Sequence, residues 1–334
     1  MRQRALAAVV VLTLVMSLAP RFAVGQTASG SRWTMPRLPD GSPDLQGVWL
    51  SDSATPLERP PALAGRARLT DEEVAVLQTR ADRIFKNGRS AYAAGDAAFS
   101  AAFNDVETHG SVGSSISSSL GMVDRVFDND TSLVVDPADG RIPRVTPAAR
   151  RRQDAVASGW QYKTGPEDFS NIHRCITTGV PRLGGNFGAG PYSYYQIIQT
   201  SDYVAFIMEA FHDVRVIPLD GRPQLPERIR QWNGDSRGRW EGDTLVVETR
   251  NFSPNSYLRG AAEGLHLVER FARTVDDTIA YSMTFTDPTS WGTPWTARMP
   301  LHRMDEAIYE FACHEGNHSM VDMLAIARLE QRVR

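Results

Sequence analysis

Leu265-His266-Leu267-Val268-Glu269-Arg270-Phe271-Ala272-Arg273, the turn residues Val275-Asp276-Asp277, and Ile279-Ala280-Tyr281-Ser282-Met283-Thr284-Phe285 form the stretch whose reading decides the fold. Large apolar residues recur at every second position on both sides of the turn, the period of a strand with one face in a core. Two such strands joined by a tight turn make an antiparallel hairpin. Two polar residues stand in the apolar series. Glu269 shares a face with Leu265, Leu267 and Phe271, and Tyr281 shares one with Ile279, Met283 and Phe285. The alternation predicts a carboxylate and a phenol turned into an apolar interior.

Working outward, the same signal recurs over Tyr194–Thr200, Tyr203–Phe211, Asp213–Pro218, Thr244–Thr249, Thr296–Leu301 and Ile308–Cys313. Turn residues separate these runs, at Leu219-Asp220-Gly221, Trp240-Glu241-Gly242-Asp243 and Asp287-Pro288. Regularly spaced short strands predict an antiparallel meander closed into a barrel. The early tripeptide Gly47-Val48-Trp49 is of the kind seen in lipocalin-like barrels, where the Trp closes the floor. The expected fold is thus mainly β, a lipocalin-like antiparallel barrel, and roughly eight strands suffice to hold a small ligand.

Between residues 55 and 160 the character changes. Thr70-Asp71-Glu72-Glu73 resembles a helix start, with Val74, Leu77, Ile84 and Phe85 following at helical spacing. Thr146-Pro147 opens a second helical stretch. Short strands are expected at Val123–Phe127 and Thr131–Val135, and a last helix at His318–Leu329. The N-terminal helices read as an insertion packed on a single barrel domain of residues 46–334.

Residues 1–25 have the layout of an export signal: Arg2 and Arg4, the apolar run Ala5–Ala19, and the small-x-small site Ala23-Val24-Gly25. Residues 26–45, rich in Pro, Gly and Ser, read as an extended lead-in. No later run approaches the roughly 20 apolar residues of a spanning helix, so a periplasmic or secreted protein without a membrane span is expected. Removing residues 1–25 takes away Arg2, Arg4 and Arg21 and no acids, moving the net charge from −3 to −6. Such a chain is not expected to bind nucleic acid.

An oxidising compartment preserves disulfides. The two cysteines of the chain, Cys175 and Cys313, lie 138 residues apart, and each has a histidine within two residues. A disulfide would bring His173 and Arg174 beside His314, Glu315 and Asn317, making His173, Arg174, Glu315 and Asn317 candidates to bind a substrate. The competing readings are a zinc or copper site made from His173, Cys175, Cys313 and His314, and two buried free thiols. No Gly-x-Ser-x-Gly elbow or P-loop occurs; Gly184–Gly190 reads as a loop after the first cysteine.

In Tyr203–Phe211, Glu209 shares a face with Ile207 and Phe211 and is expected to point inward, although the other face is just as apolar. His212 follows it. Glu209, His212, Glu269, His314 and Tyr281 are therefore the candidate acid–base groups, because burial raises a carboxyl pKa toward the useful range and imidazole transfers protons near neutral pH. Each has a structural alternative: an ion pair with Arg215, Arg270 or Arg273 for the carboxylates, a turn cap for His212, a satisfied core residue for Tyr281. Trp240, in the glycine-rich and Trp-rich segment Trp232–Thr244, and Trp291, near Trp295, are candidates to stack on a sugar ring or line a mouth.

Gly238-Arg239-Trp240-Glu241-Gly242-Asp243-Thr244-Leu245 and Cys313-His314-Glu315-Gly316-Asn317 resemble a widespread group of secreted bacterial proteins that carries no established activity. The resemblance implies one family unit from Pro43 to the C-terminus. His318 stands where that pattern has an aromatic residue, which argues against His318 as a ligand. The functional expectation is an exported lyase or hydrolase without a cofactor or metal, acting on a sugar or small aromatic compound. The alternative is a lipocalin-like carrier of a small hydrophobic ligand. A carrier needs few ionisable groups inside, so the two separate on how many of Glu209, Glu269, His212 and His314 converge.

Overall fold

The computed structural model describes residues 33–86, 90, 93, 95–110, 124–159, 165–181, 193–256, 261 and 263–333. The export-signal stretch, Gly184–Gly190 and residues 111–123, which include the Ser/Gly stretch after Gly110 and the expected strand residue Val123, lie outside them. The described chain is mainly antiparallel β, with one ten-stranded sheet and four α-helices.

The sheet is built from β1 (Gly47–Leu50), β2 (Val134–Asp136), β3 (Tyr194–Gln199), β4 (Tyr203–Met208), β5 (Asp213–Pro218), β6 (Asp235–Glu241), β7 (Thr244–Arg250), β8 (His266–Val275), β9 (Thr278–Thr286) and β10 (Trp295–Met304). Its order is β5-β4-β3-β1-β10-β9-β8-β7-β6, with β2 paired to β10 off that path. Two meanders, β3-β4-β5 and β6 to β10, are joined through β1.

The deciding hairpin is β8–β9, in register Phe271↔Tyr281 and Glu269↔Met283. Leu267, Glu269, Phe271 and Arg273 are buried on β8, and Ile279, Tyr281, Met283 and Phe285 on β9. On β4 the expectation is reversed. Val204, Phe206 and Met208 are buried, and the face of Ala205 and Ile207 is only partly covered. Both faces are apolar, and the buried one is the face whose Phe206 ring packs 4.9 Å from that of Phe271.

The expected closed barrel is not found, since no backbone pairing joins the edge strands β5 and β6 and the sheet is not closed. The edges nevertheless meet through side chains. Arg215 Nε on β5 donates to Ser236 Oγ on β6 at 3.0 Å. A Cβ on Gly238 of β6 would stand 2.9 Å from Ile217 Cγ2 and 2.7 Å from Leu219 Cδ2, so glycine permits this approach. A further strand needs about 4.8 Å of spacing on each side, and these contacts leave no room for one.

Helices α1 (Asp71–Phe85), α2 (Gly95–Phe103) and α3 (Pro147–Gly159) lie between β1 and β3 in the chain, and α4 (His318–Val333) follows β10. The Thr70 capping box forms as expected, with Glu73 N donating to Thr70 Oγ1 at 3.2 Å and Thr70 N to Glu73 Oε2 at 2.9 Å. Leu77, Ala81, Phe99 and Ala102 close a second, smaller core with Leu69 and Phe127. Two strand expectations fail: Val123–Phe127 contributes one isolated bridge, Ser53↔Val126, and Ile308–Cys313 another, Ala210↔Phe311. No helix among the described residues is long and apolar enough to cross a membrane.

Candidate functional site

Glu269 and Tyr281 come together as the alternation requires. The Tyr281 hydroxyl donates to Glu269 Oε1 at 2.5 Å, and Arg215 Nη2 meets Glu269 Oε2 at 2.5 Å. Arg215 also donates to Thr249 Oγ1 at 2.6 Å. All three groups are buried, with Glu269 only 1% exposed and Arg215 8%. Burial, and next the Glu269 charge, push the Tyr281 phenol well above its ordinary range. That phenol stays protonated as a donor and is a poor acid for catalysis near neutral pH. The structural alternative for Glu269, an ion pair with Arg215, is the arrangement observed. Beside these groups a cavity of about 20 Å³, walled by Tyr195, Phe206, Phe271 and Leu301, has room for about one water.

The other candidates do not converge on this pair. Glu209 lies past the end of β4, off its buried face, and accepts from Tyr309 N at 3.0 Å. His212 is exposed in the left-handed β4–β5 corner, 3.2 Å from Glu310. His314 and Glu315 are exposed. Of the two carboxylates expected to point inward, Glu269 alone does, and neither Glu209 nor His212 nor His314 converges on it.

Cys175 and Cys313 form the disulfide, Cα to Cα 5.8 Å. With both sulfurs so engaged the alternative metal centre has no thiolates, and no group of three or more potential ligands occurs among the described residues. Asn317 Nδ2 donates to the His173 carbonyl at 2.7 Å, the His173 ring meets Ser170 Oγ at 2.7 Å, and Arg174 is half-buried in the same turn. The bridge thus assembles a backbone-anchored corner, with His314 and Glu315 facing solvent.

The tryptophan expectations divide. Trp291 and Trp295 are buried, not at a mouth: Trp295 stacks on Phe285 at 3.9 Å and meets Trp291 edge-on at 5.5 Å. Trp240 is half-buried against the main core. Its motif neighbours pair across the outer face, Arg239 with Glu248 and Glu241 at 2.7 Å and Glu241 with Arg270 at 2.8 Å, so this motif builds the β6–β7 hairpin.

A groove of about 470 Å³ runs along the seam between β5 and the segment entering β6, within the usual range for small-molecule sites. Its walls include Thr177, Asp213, Arg215, Arg230, Trp232 and Asn233. Asn233 Nδ2 donates to both Asp213 oxygens at 2.9 Å, and Thr177 Oγ1 lies 2.7 Å from Asp213 Oδ2. Thr177 is two residues beyond Cys175, so the disulfide anchors one wall. The Ala210↔Phe311 bridge ties the corner before Asp213 to the segment that carries Cys313. The sequence singles out Trp232–Thr244 but offers no reason to join it to Thr177 or Asp213, which the topology alone brings together.

No family model matches the chain, and no curated protein matches it. Among solved structures it is matched by a mutant of the fluorescent protein UnaG, at 14% identity over 41% of this chain and 87% of that one, with a TM-score of 0.24. A likeness of that size carries no argument about this chain.

Proposed function

We propose that this is an exported, lipocalin-like binding protein that holds a small hydroxyl-bearing molecule, a sugar or hydroxylated aromatic, in the seam groove. The single observation that carries the reading is the groove itself: about 470 Å³ of polar-walled space at the unpaired edges of the sheet, with Trp232 among its lining residues. Aromatic faces stack on sugar and phenol rings while fixed polar groups take the hydroxyls. The cavity beside Glu269, by contrast, offers about 20 Å³, which favours a polar ligand at the seam over a hydrophobic one there. A barrel left open between β5 and β6 is the architecture this reading implies. Export is supported by the layout of residues 1–25 and by the disulfide.

Binding is favoured over turnover because Glu209, His212 and His314 do not converge on Glu269, and Arg215 and Tyr281 already engage it. A lyase or hydrolase would have to work from the groove walls on the same compounds. Calorimetric titration of the disulfide-bonded protein with monosaccharides and small phenols tests the proposal, with product analysis of the same mixtures. Saturable binding that weakens about tenfold or more in Trp232→Ala, without product, is expected. Product formation would convert the binder into an enzyme, and absence of binding across the panel would remove the groove as a ligand site.

A further inference from the structure

The groove has two carboxylates and two guanidinium groups in its walls, and their hydrogen-bonding capacity is spent unequally. Asp213 receives Asn233 Nδ2 at both oxygens and faces Thr177 Oγ1. Asp235 receives Leu225 N at 2.7 Å on one oxygen and Arg237 Nη1 at 2.6 Å on the other. Both acids are occupied by the protein. Arg215 is fixed through Nε and Nη2 by Ser236, Thr249 and Glu269, and its Nη1 finds no partner among the described residues. Arg230 is held only through Nη1, by the carbonyls of Phe252 and Glu263, each at 3.3 Å, which leaves Nε and Nη2 without a partner among the described residues.

A guanidinium carries five N–H donors in a rigid fork that matches a carboxylate, so the donors that Arg215 and Arg230 do not spend on the protein are open to a ligand. Arg215 is nine-tenths buried, lines both the groove and the inner cavity, and is locked by three partners, so its remaining nitrogen is pre-positioned. The nearby charges balance: Arg215, Arg230 and Arg237 against Glu269, Asp213 and Asp235. A monoanion therefore meets no net repulsion, and spare donors decide what the groove accepts.

We infer that the ligand of the groove is an acid: a small hydroxylated molecule whose carboxylate is received by Arg215 and Arg230 while its ring lies on Trp232. This rests on the reading of the groove as the ligand site. It adds a selectivity, since a neutral sugar or phenol of the same shape leaves those donors unanswered. Arg215 and Arg230 are then specificity-determining residues.

The test is calorimetry on the disulfide-bonded protein with matched pairs: galacturonate and galactose, glucuronate and glucose, 4-hydroxybenzoate and 4-hydroxybenzyl alcohol. At least one acid is expected to bind about tenfold or more tightly than its neutral partner, a charge-assisted hydrogen bond being worth at least that factor. Arg230→Gln, at an exposed residue held by two long carbonyl contacts, should abolish the preference with little change in melting temperature. Arg215→Lys, which keeps the charge and loses the fork, should reduce it. Neutral members binding as tightly as the acids, or a preference that survives Arg230→Gln, would overturn the acid selectivity and leave the binding function standing. No binding by any of the six would overturn both.

Discussion

Replacing Glu269 by Gln tests whether the buried carboxylate is structural, and the structure sets the size of the effect. Glu269 is 1% exposed, receives Tyr281 at 2.5 Å and is paired with Arg215 at 2.5 Å. The amide keeps the volume and leaves the Arg215 charge buried without its counter-ion, a loss of about 3–5 kcal/mol. Tyr281→Phe removes one hydrogen bond to a charged acceptor, about 1.5–3 kcal/mol. Against a total stability of about 5–15 kcal/mol these are large fractions. The double replacement Arg215→Met with Glu269→Met removes both charges and should recover most of the loss, since a buried pair exchanged for packed apolar groups is often neutral. Urea unfolding of wild type, both single variants and the double variant measures all three quantities. A loss below about 1 kcal/mol in Glu269→Gln, or a double variant as unstable as that single one, would refute the structural assignment. If Glu269 were instead a catalytic base, turnover would collapse at unchanged stability.

Reducing the disulfide, or replacing Cys175 and Cys313 by Ser, should lower stability by about 5 kcal/mol in the chain-entropy account for a loop of 138 residues, read as a fall in the urea midpoint. An unchanged midpoint would mean that other contacts hold the two segments. The Asp52 hydrogen bond, at 2.7 Å, raises the His302 pKa despite desolvation, with the charges of Asp52, Asp277 and Asp128 adding to it. The folded value exceeds the unfolded one, so this stabilisation is full below the ordinary histidine value of 6.5 and is lost as pH rises through the raised value. Melting temperatures of wild type and His302→Gln should therefore converge as pH rises from about 6 to about 8. The comparison with the variant matters because burial lowers the His266 pKa, which acts in the opposite sense. Gly234→Ala should cost about 1–3 kcal/mol and weaken ligand binding, because Gly234 has φ +68° and its Cβ would stand 2.7 Å from the Arg250 carbonyl oxygen. Wild-type melting temperature in that variant would show that the groove loop yields freely.

What can be read from the sequence depends on contrast between the two faces of each element. β8 and β9 alternate core residues with polar ones, so the inward turn of Glu269 and Tyr281 follows from period two alone. β4 has apolar residues on both faces, period two carries no sign there, and alternation puts Glu209 on the wrong side. β6, Asp235-Ser236-Arg237-Gly238-Arg239-Trp240-Glu241, offers so little apolar contrast that its glycine and turn residues dominate, although its tight approach to β5 is what requires Gly238.

The candidate site shows a different limit. A disulfide fixes the Cα atoms of Cys175 and Cys313 at 5.8 Å but sets no direction for the neighbouring side chains, so His314 and Glu315 can be brought close in sequence logic and still face solvent. Thr177, Asp213–Val216 and Arg230–Ser236 share a groove because the sheet order ends on β5 at one edge and β6 at the other. Where the backbone pairing breaks between edges is a property of the whole ladder, and no local periodicity encodes it. The spare donors of Arg215 follow from the same geometry. They exist because the guanidinium spans the seam, reaching Ser236 and Thr249 on one meander and Glu269 deeper in the sheet, and three anchors leave one nitrogen over. On the proposed reading, ligand selectivity is set where the sheet fails to close, by a residue that also bonds across that seam.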